Sequence, residues 1–184
     1  MTGRVSLSQS SPRIDEVWSW YSTSAQALAA YKQTIKASIV DKRVVCPDFV
    51  GFSLGDLDHH FGRQQEELEL TVALALLVAA EGELRRDYWT RVYERRKDEL
   101  SRHFREIHKH RGKRVSLEQH ILAGWRRYRP EARSSVNEFI AALRYRHWLA
   151  HGRYWVASFG RRYDPEDVWL IVKDLLCKTQ LMQP

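Results

Sequence analysis

The segment with the most chemistry per residue is Leu143-Arg144-Tyr145-Arg146-His147-Trp148-Leu149-Ala150-His151-Gly152-Arg153-Tyr154-Trp155, in which Arg146 and His151 stand five positions apart. An arginine is charged at every working pH and offers a planar fork to phosphate oxygens, so Arg146 suits the stabilisation of a developing anion. His151 falls in the last turn of an apolar helix, just before Gly152, where the negative end of the helix dipole favours a protonated imidazole. Such a group serves as a general acid or as a contact to an anionic phosphate. The structural alternative is that His151 only caps its helix and Arg146 pairs with an acid. On a straight helix the two positions differ by about 140° around the axis and about 7.5 Å along it. They share a site if a cleft lies between them at the helix end, or if a second protomer completes it.

The elements that must hold this segment all read as helices. Ser134 or Ser135 is placed to cap a helix through Phe139, Ile140 and Leu143 to His151, with Gly152 just past its end. Before it, Ser116 and Gln119 have capping-box spacing and open a short helix toward Tyr128, which Pro130 stops. After it, Asp164-Pro165-Glu166-Asp167 supplies a cap, a proline at the first helical position and acids in the first turn of a last helix reaching about Lys178. Upstream, Ile14, Val17, Trp18, Tyr21, Ala25, Leu28 and Tyr31 recur at spacings of three and four, an amphipathic helix from about Arg13 to Ile39. Pro47, Gly51 and Gly55 mark an irregular connection over Asp41 to Gly55. A long helical stretch then runs from about Asp56 to His110 with a single break, and Arg111 to Arg114 connects it onward. No two-residue alternation and no repeat is visible. The expected fold is all-α, one domain over 13–184 behind a disordered tail over 1–12.

Composition narrows the partners. The 184 residues are 43% hydrophobic and 11% aromatic, enough for a sizeable core, and carry a net charge of +7. From Arg85 to Arg162 there are 21 Lys and Arg against 8 Asp and Glu, while the remainder holds 9 against 15. Aromatics interleave with that basic half, as in Trp125-Arg126-Arg127-Tyr128-Arg129 and Arg153-Tyr154-Trp155. Rings and guanidinium groups together grip phosphates and stack on unpaired bases, although a solvated helix face with inward rings gives the same pattern. Two cysteines, Cys46 and Cys177, make no disulfide framework and favour a reducing, cytoplasmic setting. The start, MTGRVSLSQSSP, lacks the apolar stretch of a signal peptide. The apolar run from Leu70 to Ala80 is too short to span a bilayer.

Other sites fail on spacing. There is no Gly-rich phosphate loop, no zinc-spaced cysteine pair and no H-E-x-x-H. His59-His60 near Asp56 and Asp58, and His103 with His108 and His110, lack a regular ligand spacing, so no metal or cofactor is expected.

Arg146 and His151, with the polar His147 after the arginine and the run Arg146-His147-Trp148-Leu149-Ala150-His151-Gly152, resemble the R-x4-6-H motif of the HEPN superfamily, small helical domains that include metal-independent endoribonucleases. Arg105 with His110, Arg102 with His108 and Arg114 with His120 have similar spacing but lie in charged stretches without the apolar flank. Leu76-Leu77-Val78-Ala79-Ala80-Glu81-Gly82-Glu83-Leu84 also resembles the second helix of several HEPN families. The resemblance spans about Asp56 to Lys178 and is specific only in the seven-residue motif.

The resemblance implies an antiparallel bundle with a long helical pair and short C-terminal helices. It implies catalysis by Arg146 and His151 from both subunits of a homodimer, on RNA, whose own 2′-hydroxyl is the nucleophile, in a toxin–antitoxin or phage-defence role. His147 and Glu81 support the site; Arg153, Tyr154 and Arg144 are candidate substrate contacts. Glu81 shares a stripe with Leu77, Leu84 and Tyr88, so it is either buried against Arg146 or His147 or rotated to solvent. One toxin branch has a modified tyrosine two residues after the histidine; that position is Arg153 here, so the regulation does not carry over. The alternatives are a non-catalytic HEPN-like module binding RNA, nucleotide or protein, and a helical interaction protein whose basic face meets an acidic partner.

Overall fold

Ser53 opens the longest helix with a reciprocal cap: its hydroxyl accepts from the Asp56 amide at 3.1 Å and its own amide donates to the Asp56 carboxylate at 2.9 Å. The structure, a computed structural model, describes residues 12–43, 46–156, 158–161 and 163–181. Its α-helices are α1 (Ile14–Val40), α2 (Leu54–Tyr93), α3 (Glu99–Arg111), the short α4 (Ala123–Tyr128), α5 (Arg133–Ala150) and α6 (Pro165–Thr179). Every regular element among the described residues is helical, and the fold is all-α. The tail expected to be disordered lies, up to residue 11, outside the described residues.

The apolar positions of α2 recur at helical spacing, with Val72, Leu76, Ala80, Leu84 and Tyr88 all buried, and α1, α3, α5 and α6 pack around that helix. Directions follow from the contacts. Lys32 pairs with Asp58 at 2.7 Å while Tyr21 lies beside Glu69, so α1 runs antiparallel to α2. Arg146 meets Glu81 and Arg153 meets Glu67, so α5 also runs antiparallel to it. Trp18 stacks on Trp169 at 5.0 Å and joins α1 to α6. At the far end of the α1–α2 hairpin a second cluster forms from Ile35, Phe49, Leu57 and Phe61, with no residue from α3 onward.

The break in the long stretch falls at Glu94 to Asp98. Arg95 takes a left-handed φ of 51°, and Asp98 caps α3 by accepting from the Ser101 amide at 3.1 Å. Two expectations are corrected. Ser116 does accept from the Gln119 amide at 3.2 Å, but His120, not Gln119, returns the contact, its Nδ1 accepting the Ser116 N–H at 2.9 Å. The residues Leu117–Leu122 wind as a π-helix, which carries the fourth side chain rather than the third back over the cap. Neither Ser134 nor Ser135 caps α5. Its first turn continues directly from a 3-10 turn at Pro130–Ala132, and the buried Ser135 donates instead to Asp174 of α6. At Gly124 a side-chain carbon would meet the Phe104 ring at 2.6 Å, so a glycine is needed where α4 crosses α3.

One ionic contact is fully enclosed. Arg91 Nε donates to both oxygens of Asp87 at 3.0 and 2.8 Å, Nη1 reaches the Ser101 hydroxyl at 3.3 Å, and the guanidinium lies 5.1 Å from the Trp125 ring. Removing one partner strands the other charge away from water. Arg91→Ala is therefore expected to cost about 3–5 kcal/mol in urea unfolding. Lys109→Ala, which breaks an exposed pair with Glu106, should leave the urea midpoint essentially unmoved.

Candidate functional site

Val136, Phe139, Ala142 and Tyr145 form the buried stripe of α5, and Arg146 follows one step around the helix, at the seam with α2. Its side chain is 32% exposed and lies 3.4 Å from Oε2 of Glu81, which is 19% exposed. Glu81 is therefore turned inward, as one of its two expected placements. Its other oxygen accepts from Arg85 Nε and Nη2, both at 2.9 Å, and Arg85 Nη1 continues to the Val115 carbonyl at 3.3 Å. A single carboxylate thus bridges two arginines on different helices. The contact to Arg146 is the looser of the two. Arg146 Nε is buried with no hydrogen-bond partner among the described residues.

His147 and His151 lie on another flank. Their i, i+4 spacing brings the ring centroids to 4.1 Å with the planes 49° apart, and both residues are exposed. Arg144 is exposed on that flank too, since positions 144, 147 and 151 fall within about 60° of arc. Arg146 and His151 are thus divided within one protomer much as the ideal helix requires: one faces Glu81, the other faces solvent beside His147.

Beyond His151 the chain turns sharply. Gly152 has φ 78°; its N–H reaches the Leu149 carbonyl at 3.4 Å, and the Arg153 N–H reaches that of Trp148 at 3.2 Å, which is the Schellman arrangement. Arg153 is also left-handed, at φ 56°, uncommon for a residue with a side chain. Its guanidinium doubles back to Glu67 of α2 in a two-pronged pair, both bonds 2.9 Å. Arg153, a candidate substrate contact, is thus the tether of this loop. The Arg153 fork holds the Glu67 carboxyl below the usual carboxylate range. Trp148 Nε1 donates to the Trp155 carbonyl at 2.9 Å, while Tyr145, Trp148, Phe159 and Tyr163 form an aromatic cluster under the loop. Tyr154, 83% exposed and edge-on to Trp155 at 4.7 Å, and Val156, 96% exposed, face solvent.

The other Arg/His spacings serve the fold. Arg105 donates to the Arg96 carbonyl at 2.7 Å, His108 contacts the Gly112 carbonyl at 3.1 Å, and His120 completes the cap of Ser116. His103 packs on Tyr128 at 5.0 Å, where burial and then Arg127 push its pKa down. Asp56 and Asp58 beside His59-His60 are engaged with Ser53 and Lys32. No group of three metal-ligating side chains stands together among the described residues. No helix is long and apolar enough to cross a membrane among those residues.

Arg85 and Glu67 are the site residues that the motif itself does not point to. Arg85 is legible as the basic residue four positions after Glu81 on one helix face. Glu67 has no such signal, because it meets Arg153 across 86 residues of chain.

At Gly152 an added side chain meets no atom within 4 Å, so Gly152→Ala tests backbone strain alone. Its expected cost is about 1–2 kcal/mol in chemical denaturation, with the helix content unchanged. The Glu67 carboxyl titrates lower when folded than when unfolded. The tether's contribution is therefore complete above the unfolded value of about 4.3 and disappears as pH falls through the folded one. Protection factors over 152–156, which divide out the intrinsic slowing of amide exchange in acid, should fall on acidification in the wild type. In Glu67→Gln they should be low already at neutral pH.

Set against models of known protein families, curated proteins and solved structures, the chain matches none, so any functional reading rests on its own residues.

Proposed function

We propose that this chain is a cytoplasmic, metal-independent endoribonuclease of HEPN type, acting as a homodimer in a toxin–antitoxin or phage-defence role with an antitoxin or neighbouring defence protein as its regulator. The observation that carries the reading is the end of α5. An arginine only loosely held by a carboxylate and, on another flank, an exposed histidine with a second imidazole beside it both stand in the last turns of a sharply capped helix.

The reaction follows from those groups. The 2′-hydroxyl of an RNA nucleotide attacks the adjacent phosphorus and loses its proton to a base, while the 5′-oxygen of the next nucleotide leaves and takes a proton from an acid. The products are a 2′,3′-cyclic phosphate and a 5′-hydroxyl. His151 exchanges the protons, with His147 beside it. Arg146 stabilises the charge gathering on the phosphorane oxygens, and its 3.4 Å contact to Glu81 is the one a phosphate displaces. Because one protomer divides Arg146 from His151, a second copy bringing its own motif to the same groove supplies the missing face. Arg144 and Tyr154, both exposed near the end of α5, are the further substrate contacts of this reading.

A second reading has an observation of its own. The pairing of Arg146 with Glu81 is also what a purely structural arginine does, and it favours a non-catalytic module that holds RNA.

Incubation with single- and double-stranded RNA in excess chelator separates the two. The enzyme cleaves, and Arg146→Ala and His151→Ala each lower the rate by at least about a hundredfold, the usual worth of one acid–base or charge-stabilising group. Equal cleavage by all three proteins marks a contaminant, and RNA binding without cleavage marks the module. A strict monomer in sedimentation at micromolar concentration removes the composite site.

A further inference from the structure

The face of α2 that carries Glu67 continues past the end of α5. Asp56, His59, His60, Arg63, Gln64 and Glu67 recur at spacings of three and four, and with the turn at Val50 to Phe52 they line an open groove of about 860 Å³. That volume lies within the range of small-ligand sites. The groove sits on the α1–α2 hairpin, and its lining is shared with the fold: Asp56 caps α2, Glu67 holds Arg153 and Phe52 packs on the second cluster, which leaves Arg63 and His59 over.

Its polar groups are unequal. Both carboxylates are committed: Asp56 accepts from the Ser53 amide and hydroxyl at 2.9 and 2.6 Å, and Glu67 accepts both prongs of Arg153. Arg63 is exposed and forms no hydrogen bond or ion pair with a described residue, and His59 is likewise exposed. Gln64 has turned one side of its amide to His60, at 3.0 Å. The uncommitted donors are thus cationic or neutral, which suits an anionic ligand. The remaining wall is an aromatic corner: Phe52 and His60 stand 6.0 Å apart with their planes 81° to each other, both braced by the buried Phe49, so that a ring can lie on one face and meet the edge of the other.

An inorganic anion leaves that wall unused. A fatty acid uses the wall but gives Gln64 nothing to recognise. A nucleotide uses all three features, with a phosphate for the arginine fork, a ring for the aromatic wall and a base edge for the amide. We propose that this groove binds one nucleotide, its phosphate on Arg63 and His59 and its base against Phe52 and His60. The nucleotide is either free or one unit of a single strand passing Arg153 and Tyr154 from the end of α5. The site does not depend on any chemistry at Arg146 and His151.

Titration calorimetry of the full chain tests it with four probes: AMP, adenosine, inorganic phosphate, and a five-nucleotide 2′-O-methyl RNA that cannot be cleaved through the 2′-oxygen. AMP or the oligomer binds, and adenosine and phosphate bind at least about tenfold more weakly than the better of the two, since each lacks half of the contacts. Arg63→Glu, an exposed substitution with its fold checked by circular dichroism, weakens that binding at least about tenfold. Phe52→Ala weakens it by about tenfold through lost stacking. Arg146→Ala leaves AMP affinity unchanged, which separates the groove from the α5 site. Equal affinity for AMP and the oligomer assigns a free nucleotide. A tighter oligomer whose advantage is lost in Tyr154→Ala assigns a strand. Absence of binding by both AMP and the oligomer, phosphate binding as well as AMP, or unchanged affinity in Arg63→Glu overturns the proposal.

Discussion

Glu81 is the contact on which the arrangement of α2 and α5 turns. A mostly buried carboxylate is expensive unless its lone pairs are filled, and two guanidinium groups fill them. Arg85 comes from the same helix and would be near Glu81 in any fold, so it neutralises the charge without fixing any tertiary contact. Arg146 is different: it reaches Glu81 only when α5 lies antiparallel to α2 in one register. The pair is part-exposed and worth at most about 1 kcal/mol by itself, so its value lies in specifying register rather than in stability. It also keeps a cation at the surface of the seam instead of letting it turn to solvent.

The register so set carries through to the loop. Seven positions beyond Arg146, Arg153 meets Glu67, fourteen positions before Glu81, so two arginine–glutamate pairs clamp the end of α5 to one face of α2. Between them the chain reverses through two left-handed residues, of which Arg153 has the conformational cost of a side chain there. A two-pronged bond and the aromatic cluster around Tyr145 offset that cost. The consequence is that His151 ends the helix facing solvent, with Tyr154 projecting beside it. The same clamp commits Glu67 and so leaves the groove further along α2 with uncommitted donors and no uncommitted acid.

Much of this was legible where a local rule was strong. Gly152 and the Asp164-Pro165 pair stop and start helices in the expected places, because caps depend on a few adjacent residues. The stripe that Glu81 shares with Leu77, Leu84 and Tyr88 left an inward and an outward placement open, and its contact with Arg146 decides between them. Ser135 misled for a physical reason: a serine near a helix start caps it only if the preceding backbone is extended, and Pro130 had already begun a helical turn. His120 took the role expected of Gln119 because a π-turn shifts the side-chain phase, which no spacing rule anticipates. Glu67 was invisible, since nothing local announces a partner so distant in the chain.

The abundance of arginine and histidine could have hidden the motif rather than marked it. Four Arg/His spacings look alike on paper, and the structure separates them by what the side chains already do. Arg105, His108 and His120 bind backbone groups, and His103 is packed under an aromatic ring; each is committed to holding α3 and α4 in place. Among the described residues, the histidine rings at the end of α5 pack on each other and on Trp155, and the arginine pairs loosely with Glu81. A side chain engaged by the fold is costly to redirect toward a ligand, because its buried partner is left unsatisfied. An uncommitted one carries no such cost. By that criterion the other Arg/His spacings lean toward architecture, while the motif at the end of α5 and, on the acidic side of the sequence, Arg63 and His59 are among the groups left uncommitted.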